Sequence, residues 1–391
     1  MDFSNDIILE LLLRLPVKSV MRFKCVSPEW NDMISDAAFR KNYLSRHTKN
    51  APTGFFYHHQ APKSSETGHN LYGPAKFINT TTNNVKTQEF QSLDYSQKFG
   101  HVIASSKGLL LLSKNPNSYH VFDPVSKKCI KLPKPLKKQL PRVSVGFISH
   151  EQERTNGHNV NVYSLSYKVV RIGLEFCSYK AKTWVVEPYS SKTSKWKKSK
   201  IVAPLGFNFG PELAAKVIGG VYHWWGWSAS WIVAYNPDNN PKGRVKLIKS
   251  PRDMGVDECA YSGIEGTQNG CLQFYKVGAS IQLWILKGKH EGGSYLDEDE
   301  DIVEVNRWTL AHRISFWEIG IKPCDVVDDF KIFPVPIAIS PWNPHIIFFQ
   351  SPYKLMSYDR TDRKIEVFST HKFETRADEF VPFEWPVWPC L

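Results

Sequence analysis

From about residue 75 onward, short apolar or alternating runs are broken by Gly, Pro, Asn and Asp about every eight to fifteen residues, and the runs recur in a fixed order. Gly108-Leu-Leu-Leu-Leu is followed by Tyr119-His-Val-Phe-Asp-Pro and then Lys128-Cys-Ile-Lys-Leu-Pro. Gly220-Val-Tyr-His-Trp-Trp is followed by Ile232-Val-Ala-Tyr-Asn-Pro and Arg244-Val-Lys-Leu-Ile. Gly270-Cys-Leu-Gln-Phe-Tyr leads to Ile281-Gln-Leu-Trp-Ile-Leu and Asn306-Arg-Trp-Thr-Leu, and His345-Ile-Ile-Phe-Phe-Gln leads to Leu355-Met-Ser-Tyr-Asp-Arg and Lys364-Ile-Glu-Val-Phe. A fainter copy lies at Tyr167–Ile172, Trp184–Pro188 and Ser194–Lys197. Each unit reads strand, strand, turn, strand, with a repeat of about fifty residues.

A unit of this kind is a small antiparallel sheet that cannot bury both faces alone. Packing copies around a ring buries them, with aromatic side chains filling the wedges. The pattern predicts an all-β domain over 71–391, a β-propeller of five or six irregular blades built from roughly twenty to twenty-four strands. A pair of β-sandwiches is the competing architecture. The strands near Tyr353–Phe368 are expected beside the first strands after the linker, closing the ring. Apolar residues at 42% and aromatic residues at 13% suffice for a large core, and the thirteen tryptophans fall mostly after residue 180.

The first 47 residues follow a different period. Ile7, Ile8, Leu11, Leu12 and Leu15 recur at helical spacing. Asn5 or Ser4 can cap this helix, Asp6 and Glu10 suit its positive end, and Pro16 stops it. A second helix is expected from about Val17, including Val20, Met21, Phe23, Lys24 and Val26. Ser27-Pro28-Glu29 is a helix start with the serine as cap. Asp36 caps a fourth helix, from Ala37 to about Arg46. Leu9 and Leu13 lie off the Ile8–Leu12–Leu15 stripe, so the first helix is apolar on more than one side. So few residues cannot bury all of this alone; the helices either cap a larger domain or hold surface for a partner. Residues 48–70 read as a linker, with a possible strand near Gly54–His58.

No apolar run is long enough for a membrane span, and the N-terminus lacks the features of a signal peptide. Seven cysteines without close pairs suit a reducing compartment, cytoplasm or nucleus; Cys25 is expected to pack. The net charge of +12 gathers in Lys127–Arg142 and Lys192–Lys200, which read as solvated loops. Leu296–Asp301 is an acidic run, expected in an exposed loop that could meet one of the basic runs. No phosphate-binding loop, zinc motif, nucleophile elbow or Cys-x-x-Cys occurs, so no enzyme activity, metal or cofactor is expected.

The helical stretch resembles the plant form of the F-box, which runs Leu-Pro-x-Asp-Leu-Ile-x-Glu-Ile-Leu-x-Arg-Leu-Pro-Val-Lys-Ser-Leu-x-Arg-Phe-Arg-Cys-Val-Ser-Lys-x-Trp. This chain supplies Asp6, Ile7, Ile8, Glu10, Leu11, Leu12, Arg14 to Val20, Arg22 to Ser27, and Trp30, without a gap. Asn31, Ile34, Ser35, Asp36 and Phe39 also fit. Phe3-Ser4 replaces the leading Leu-Pro, which in the family helps grip the adaptor. The resemblance implies an F-box over 1–47 that docks on a Skp-type adaptor and, through it, on a cullin and a RING protein. It further implies a C-terminal F-box-associated or kelch-like β domain; Gly219-Gly220-Val-Tyr echoes the kelch double glycine.

On that reading the chain is a non-catalytic substrate receptor of an SCF-type ubiquitin ligase. Its adaptor contacts would come from Leu11, Leu15, Pro16, Val17, Val20, Phe23, Val26 and Trp30. Packing between the helices is the competing role, above all for Phe23 and Trp30. The unknown protein target would sit on the β domain, with Trp224, Trp225, Trp227 and Trp231 as candidates; blade core is their competing role. The second class is a non-enzymatic scaffold or nucleic-acid-binding protein using the basic runs, although no nucleic-acid motif accompanies them.

Overall fold

The computed structural model describes residues 5–47, 53–57, 75–80, 98–137, 140, 143–155, 161–174, 182–203, 214–225, 231–238, 245–251, 261–266, 270–278, 280–288, 302–303, 305–318, 335–340, 343, 345–351, 354–369, 380–386 and 388–390. Four helices come first: α1 (Asn5–Arg14), α2 (Val17–Phe23), α3 (Pro28–Ser35) and α4 (Ala37–His47). Their punctuation follows the sequence. Pro16 is extended (ψ 143°) and separates α1 from α2. Ser27 accepts a hydrogen bond from Trp30 N at 3.2 Å with Pro28 in the first turn, and Asp36 Oδ1 accepts one from Ala38 N at 2.7 Å.

One expectation here is corrected. Val26 is not helical: α2 ends at Phe23, because Ser27 must be extended (φ −154°) to cap α3. Val26 and Cys25 therefore fall in the connecting turn, both exposed, so Cys25 is not a packing residue.

The rest forms six sheets arranged as the blades of a propeller. Blade 1 is β3 (His101–Ser106), β4 (Leu109–Asn115), β5 (Ser118–Asp123) and β6 (Lys128–Lys131). Blade 2 is β7 (Val143–Thr155), β8 (Asn161–Leu174) and β9 (Thr183–Ser190), edged by β10 (Lys195–Trp196) and β11 (Ser199–Val202). Blade 3 is β12 (Lys216–Ile218), β13 (Val221–Trp225), β14 (Trp231–Tyr235) and β15 (Lys246–Lys249), with β19 (Ile302–Val303) added in parallel. Blade 4 is β16 (Tyr261–Gly266), β17 (Leu272–Val277), β18 (Ser280–Leu286) and β20 (Trp308–Ser315). Blade 5 is β21 (Val335–Ile339), β22 (Ile346–Ser351), β23 (Lys354–Asp359) and β24 (Lys364–Ser369). Blade 6 joins the two ends of the chain: β1 (Thr53–Tyr57) pairs with both β2 (Lys76–Asn79) and β25 (Phe380–Glu384).

Ring closure is thus made by β25, not by the strands near Tyr353–Phe368. Those strands are the outer half of blade 5 and do pack beside β1 and β2, with Phe348, Leu355 and Phe368 against Phe55, Tyr57 and Ile78. The stretch 48–70 is not all linker, since β1 is the central strand of blade 6.

The repeated signals in the sequence are turn chemistry. Gly108 (φ +79°) follows Lys107 (φ +45°) between β3 and β4, and Gly219 and Gly220 (φ +57° and +81°) make the same turn between β12 and β13. Two successive positive φ values describe the tight hairpin that matches strand twist, and glycine adopts them without strain. At the next turn on the same end of the blade, the Asp-Pro, Asn-Pro and Asp-Arg pairs cap their own backbone. Asp123, Asn236 and Asp359 each accept from an N–H two residues on, at 2.9, 2.9 and 2.8 Å.

Six apolar clusters lie between the blades, one per interface. They join blades 1 and 2 (Leu111, Phe147), 2 and 3 (Trp184, Trp224), 3 and 4 (Ile232, Phe274), 4 and 5 (Leu283, Phe349), 5 and 6 (Phe348, Phe55), and 6 and 1 (Phe56, Leu110). A closed set of interfaces leaves no blade with a bare face, which is how sheets too small to fold singly are stabilised.

Candidate docking face on the helical module

The helices make their own core from Leu12, Leu13, Val20, Ile34, Phe39 and Tyr43. One further member comes from the opposite end of the chain. Beyond β25 the C-terminal segment crosses blade 1 and packs Trp388, only 7% exposed, against both Phe39 and Tyr43 at ring distances of 5.9 and 5.2 Å. Cys390 N donates to Asp123 Oδ2 at 2.8 Å, and its thiol donates to Lys107 O at 3.4 Å. Burial, then the Asp123 charge, pushes the Cys390 thiol up to about 12, so it stays protonated. α3 and α4 also lean on β8, whose hairpin with β7 is the longest of the propeller hairpins described.

Polar contacts lock α1 to α4. Tyr43 Oη donates to Leu15 O at 2.9 Å, and His47 Nε2 lies 2.9 Å from Leu13 O, so carbonyls left open by the break at Pro16 find partners. Glu10 accepts from both Arg46 guanidinium nitrogens at 2.9 Å and from Arg14 at 3.0 and 3.2 Å. Arg46 first, then Arg14, holds the Glu10 carboxyl down at about 2. Burial pushes the Lys24 amine down, helped by Lys128 of blade 1; Lys24 donates to Ser35 Oγ at 2.9 Å.

With Leu12 and Leu13 turned inward, α1 turns Ile7 and Leu11 outward, 49% and 57% exposed and one turn apart. Pro16 is exposed beyond the helix end, Leu15 and Val17 are half-buried beside it, and Val26 is 59% exposed in the α2–α3 turn. These residues are the candidate docking face. Phe23 and Trp30 are half-buried and stack on each other at 5.4 Å, a packing role that leaves an edge free. Val20 is corrected: it has no exposed surface and belongs to the core. Ile7 joins the face although the list of contacts drawn from the sequence omits it. Phe3-Ser4 lies outside the described residues.

The tryptophan candidates divide. Trp224 is corrected, being buried between blades 2 and 3. Trp225 is half-buried with its ring 4.9 Å from Phe274, and Trp231 is half-buried against the blade 2–3 cluster. Trp227 and the acidic run lie outside the described residues. Trp317, absent from the candidates, is 67% exposed just after β20. Among the described residues no His, Cys, Asp and Glu groups gather to hold a metal, and no helix is long and apolar enough to cross a membrane.

A four-helix module seated on a closed six-bladed ring matches two known domains in order: an F-box domain over residues 1–42, and the domain described as "F-box protein At3g26010-like, beta-propeller" over residues 83–385. The chain belongs to this family of F-box proteins with a β-propeller. It is similar over nearly its whole length to the F-box protein At5g03970 of Arabidopsis thaliana, at 24% identity covering 99% of this chain and 88% of the relative. The putative F-box/kelch-repeat protein At1g15680 of the same plant is 22% identical over 93% of this chain and 83% of its own. A shorter and stronger match is to the putative F-box protein At1g47790 of Arabidopsis thaliana, 56% identical over 42 residues, 11% of each chain.

Proposed function

We propose that this protein is the target-recognition subunit of an SCF-type cullin-RING ubiquitin ligase, working in the cytosol or nucleus. The helical module docks on a Skp-type adaptor, which links it to a cullin and a RING protein, and the propeller holds a protein target. The chain makes no bonds itself. Its contribution is proximity: a tethered target presents its lysines to a charged ubiquitin-conjugating enzyme at high effective concentration.

The observation that carries this reading is that Ile7, Leu11, Pro16 and Val26 stay exposed on a module whose core is already filled. Exposed apolar surface of this kind supports a partner site. The scaffold reading loses ground because neither basic run accompanies a nucleic-acid fold or motif.

The test is complex formation between the purified protein and a Skp-type adaptor. A stable one-to-one complex is expected. Leu11→Asp should abolish it without loss of fold, because Leu11 is exposed; the far-ultraviolet circular dichroism should not change. Leu15→Asp with Pro16→Ala should abolish it as well. No complex with the unmutated protein would refute the receptor reading.

A further inference from the structure

The basic run Lys127–Arg142 has no part in the docking face. In the structure β6 divides it. Lys127 and Lys128 sit at the β5–β6 turn, the end of blade 1 that carries Asp123, the C-terminal segment and the helices. Lys131 lies at the other end of β6, which is also the end where β4 turns into β5 through Pro116 and Asn117. Antiparallel strands alternate direction, so these turns face away from the helical module. Four exposed lysines gather at this far end: Lys98, Lys114, Lys131 and Lys134. Lys131 pairs with His120 across the ladder. The His120 ring is 5.2 Å from Phe99, over which Lys98 stands at 5.4 Å. Burial, then Lys131 and Lys114, pushes the His120 imidazole down, an independent sign that these cations crowd one place. Among the described residues no carboxylate pairs with any of the four lysines.

The segment that bears them is held from beneath. Leu132 N donates to Tyr119 O at 2.9 Å and Trp196 Nε1 to Pro133 O at 2.7 Å. Arg171 and Glu187, paired on β8 and β9, are wholly buried. Glu187 accepts from Lys137 N at 2.6 Å; Arg171 donates to Lys137 O at 2.8 Å and to Asn117 Oδ1 at 3.0 Å. One buried ion pair therefore ties the β4–β5 turn to the segment after β6. Such a pair is weak as a source of net stability. Here it fixes two parts of a rim relative to each other, and a rim fixed in advance loses less entropy on binding. Within the fixed segment Leu136 is 58% exposed.

We propose that this rim, Lys98, Lys114, Lys131 and Lys134 together with Leu136, is the seat for an acidic segment of a protein target that carries an apolar side chain. The inference deepens the receptor reading and rests on it. Unpaired cations select an acidic occupant, and the exposed leucine selects a polypeptide over a nucleic acid. Single strands are held on stacked aromatic platforms, whereas the rings here are covered: Phe99 is half-buried beneath Lys98, and Tyr119, His120 and Trp196 are buried.

The experiment uses the full-length protein bound to its adaptor and a fluorescein-labelled peptide of Asp-Glu repeats around a single Leu, followed by fluorescence anisotropy. Lys114→Glu with Lys131→Glu should weaken binding about tenfold or more, since like charges now face the peptide. Leu136→Ala should weaken binding of this peptide but not of its Leu-to-Ala counterpart. Lys192→Glu with Lys195→Glu, an equal charge change at the other end of blade 2, should leave binding unchanged. The proposal is overturned if the unmutated complex does not bind the peptide, or if both charge reversals act alike. It is also overturned if a single-stranded oligonucleotide of matched charge binds as tightly and Leu136→Ala has no effect. Each variant is first shown to retain its adaptor complex, so failure here is distinct from failure of the receptor reading.

Discussion

Trp388 is separated from the helices by the whole propeller in sequence, yet it fills their core. Nothing local in Pro386 to Cys390 announces this; only closure of the ring at β25 brings the segment to α4. Trp388→Ala removes a buried ring and leaves a cavity, a loss of about 3–5 kcal/mol. Hydrogen exchange should rise across α1–α4 while the blades stay protected, and adaptor binding should weaken although no docking residue has changed. Glu10 gives a pH-dependent companion. Its carboxyl is held at about 2 in the folded protein against an ordinary 4.5. The stability it lends is therefore complete above the ordinary value and is lost as pH falls from there toward about 2. Glu10→Gln should remove that acid-side loosening of α1 from α4, read from the helical amides by NMR between those limits. Only Asp6 stands in the first turn of α1; Glu10, expected near the positive end, lies mid-helix, and its clamp on Arg46 was not legible because that pairing depends on how α4 folds back.

Punctuation was the most readable feature of the elements. Ser27, Pro28 and Asp36 start helices for reasons contained in a few neighbouring residues, and the Asp-Pro and double-glycine signals mark turns for the same kind of reason. The middle strands of blades 1 to 5 and the outer strands β6, β10, β15, β20 and β24 were legible as repeated runs, while the added edge strands β11 and β19 were not. The innermost strands β3, β7, β12, β16 and β21 were not among the repeated runs. Sequences such as His101-Val-Ile-Ala-Ser-Ser carry little apolar contrast, since such strands lie at the ring's centre and are short or polar on one side. The ion pair of β8 and β9 was equally hidden, because an Arg and a Glu in alternating strands look solvated until a third element covers them. Arg171→Met strands a buried carboxylate and should cost about 3–5 kcal/mol. Arg171→Met with Glu187→Leu should cost far less. Comparing the two melting temperatures checks this, and equal losses would mean the pair is not buried as described.

At the scale of the whole molecule, the helices and the lysine rim lie at opposite ends of the ring. The helices, the C-terminal segment and the Asp123-capped turn of blade 1 share one end of the ring. The lysine rim lies at the other, so on the proposed reading a target would sit away from the adaptor. The repeat in the sequence carried the propeller and its five or six blades, but not the count of six, because blade 6 is assembled from both ends of the chain and has no repeat of its own. Which apolar residues of the helices stay exposed was legible in part through the F-box resemblance, with Leu11, Pro16 and Val26 outward; Val20 was misread because a periodic pattern does not tell which side of a short helix the other helices cover.

The most direct measurement is hydrogen exchange of the full chain with and without a Skp-type adaptor. New protection is predicted at Ile7 to Leu11 and around Pro16 and Val26, with none at the far end of blade 1 around Lys114 and Lys131. Protection confined to the blades, with α1 unchanged, would contradict the account.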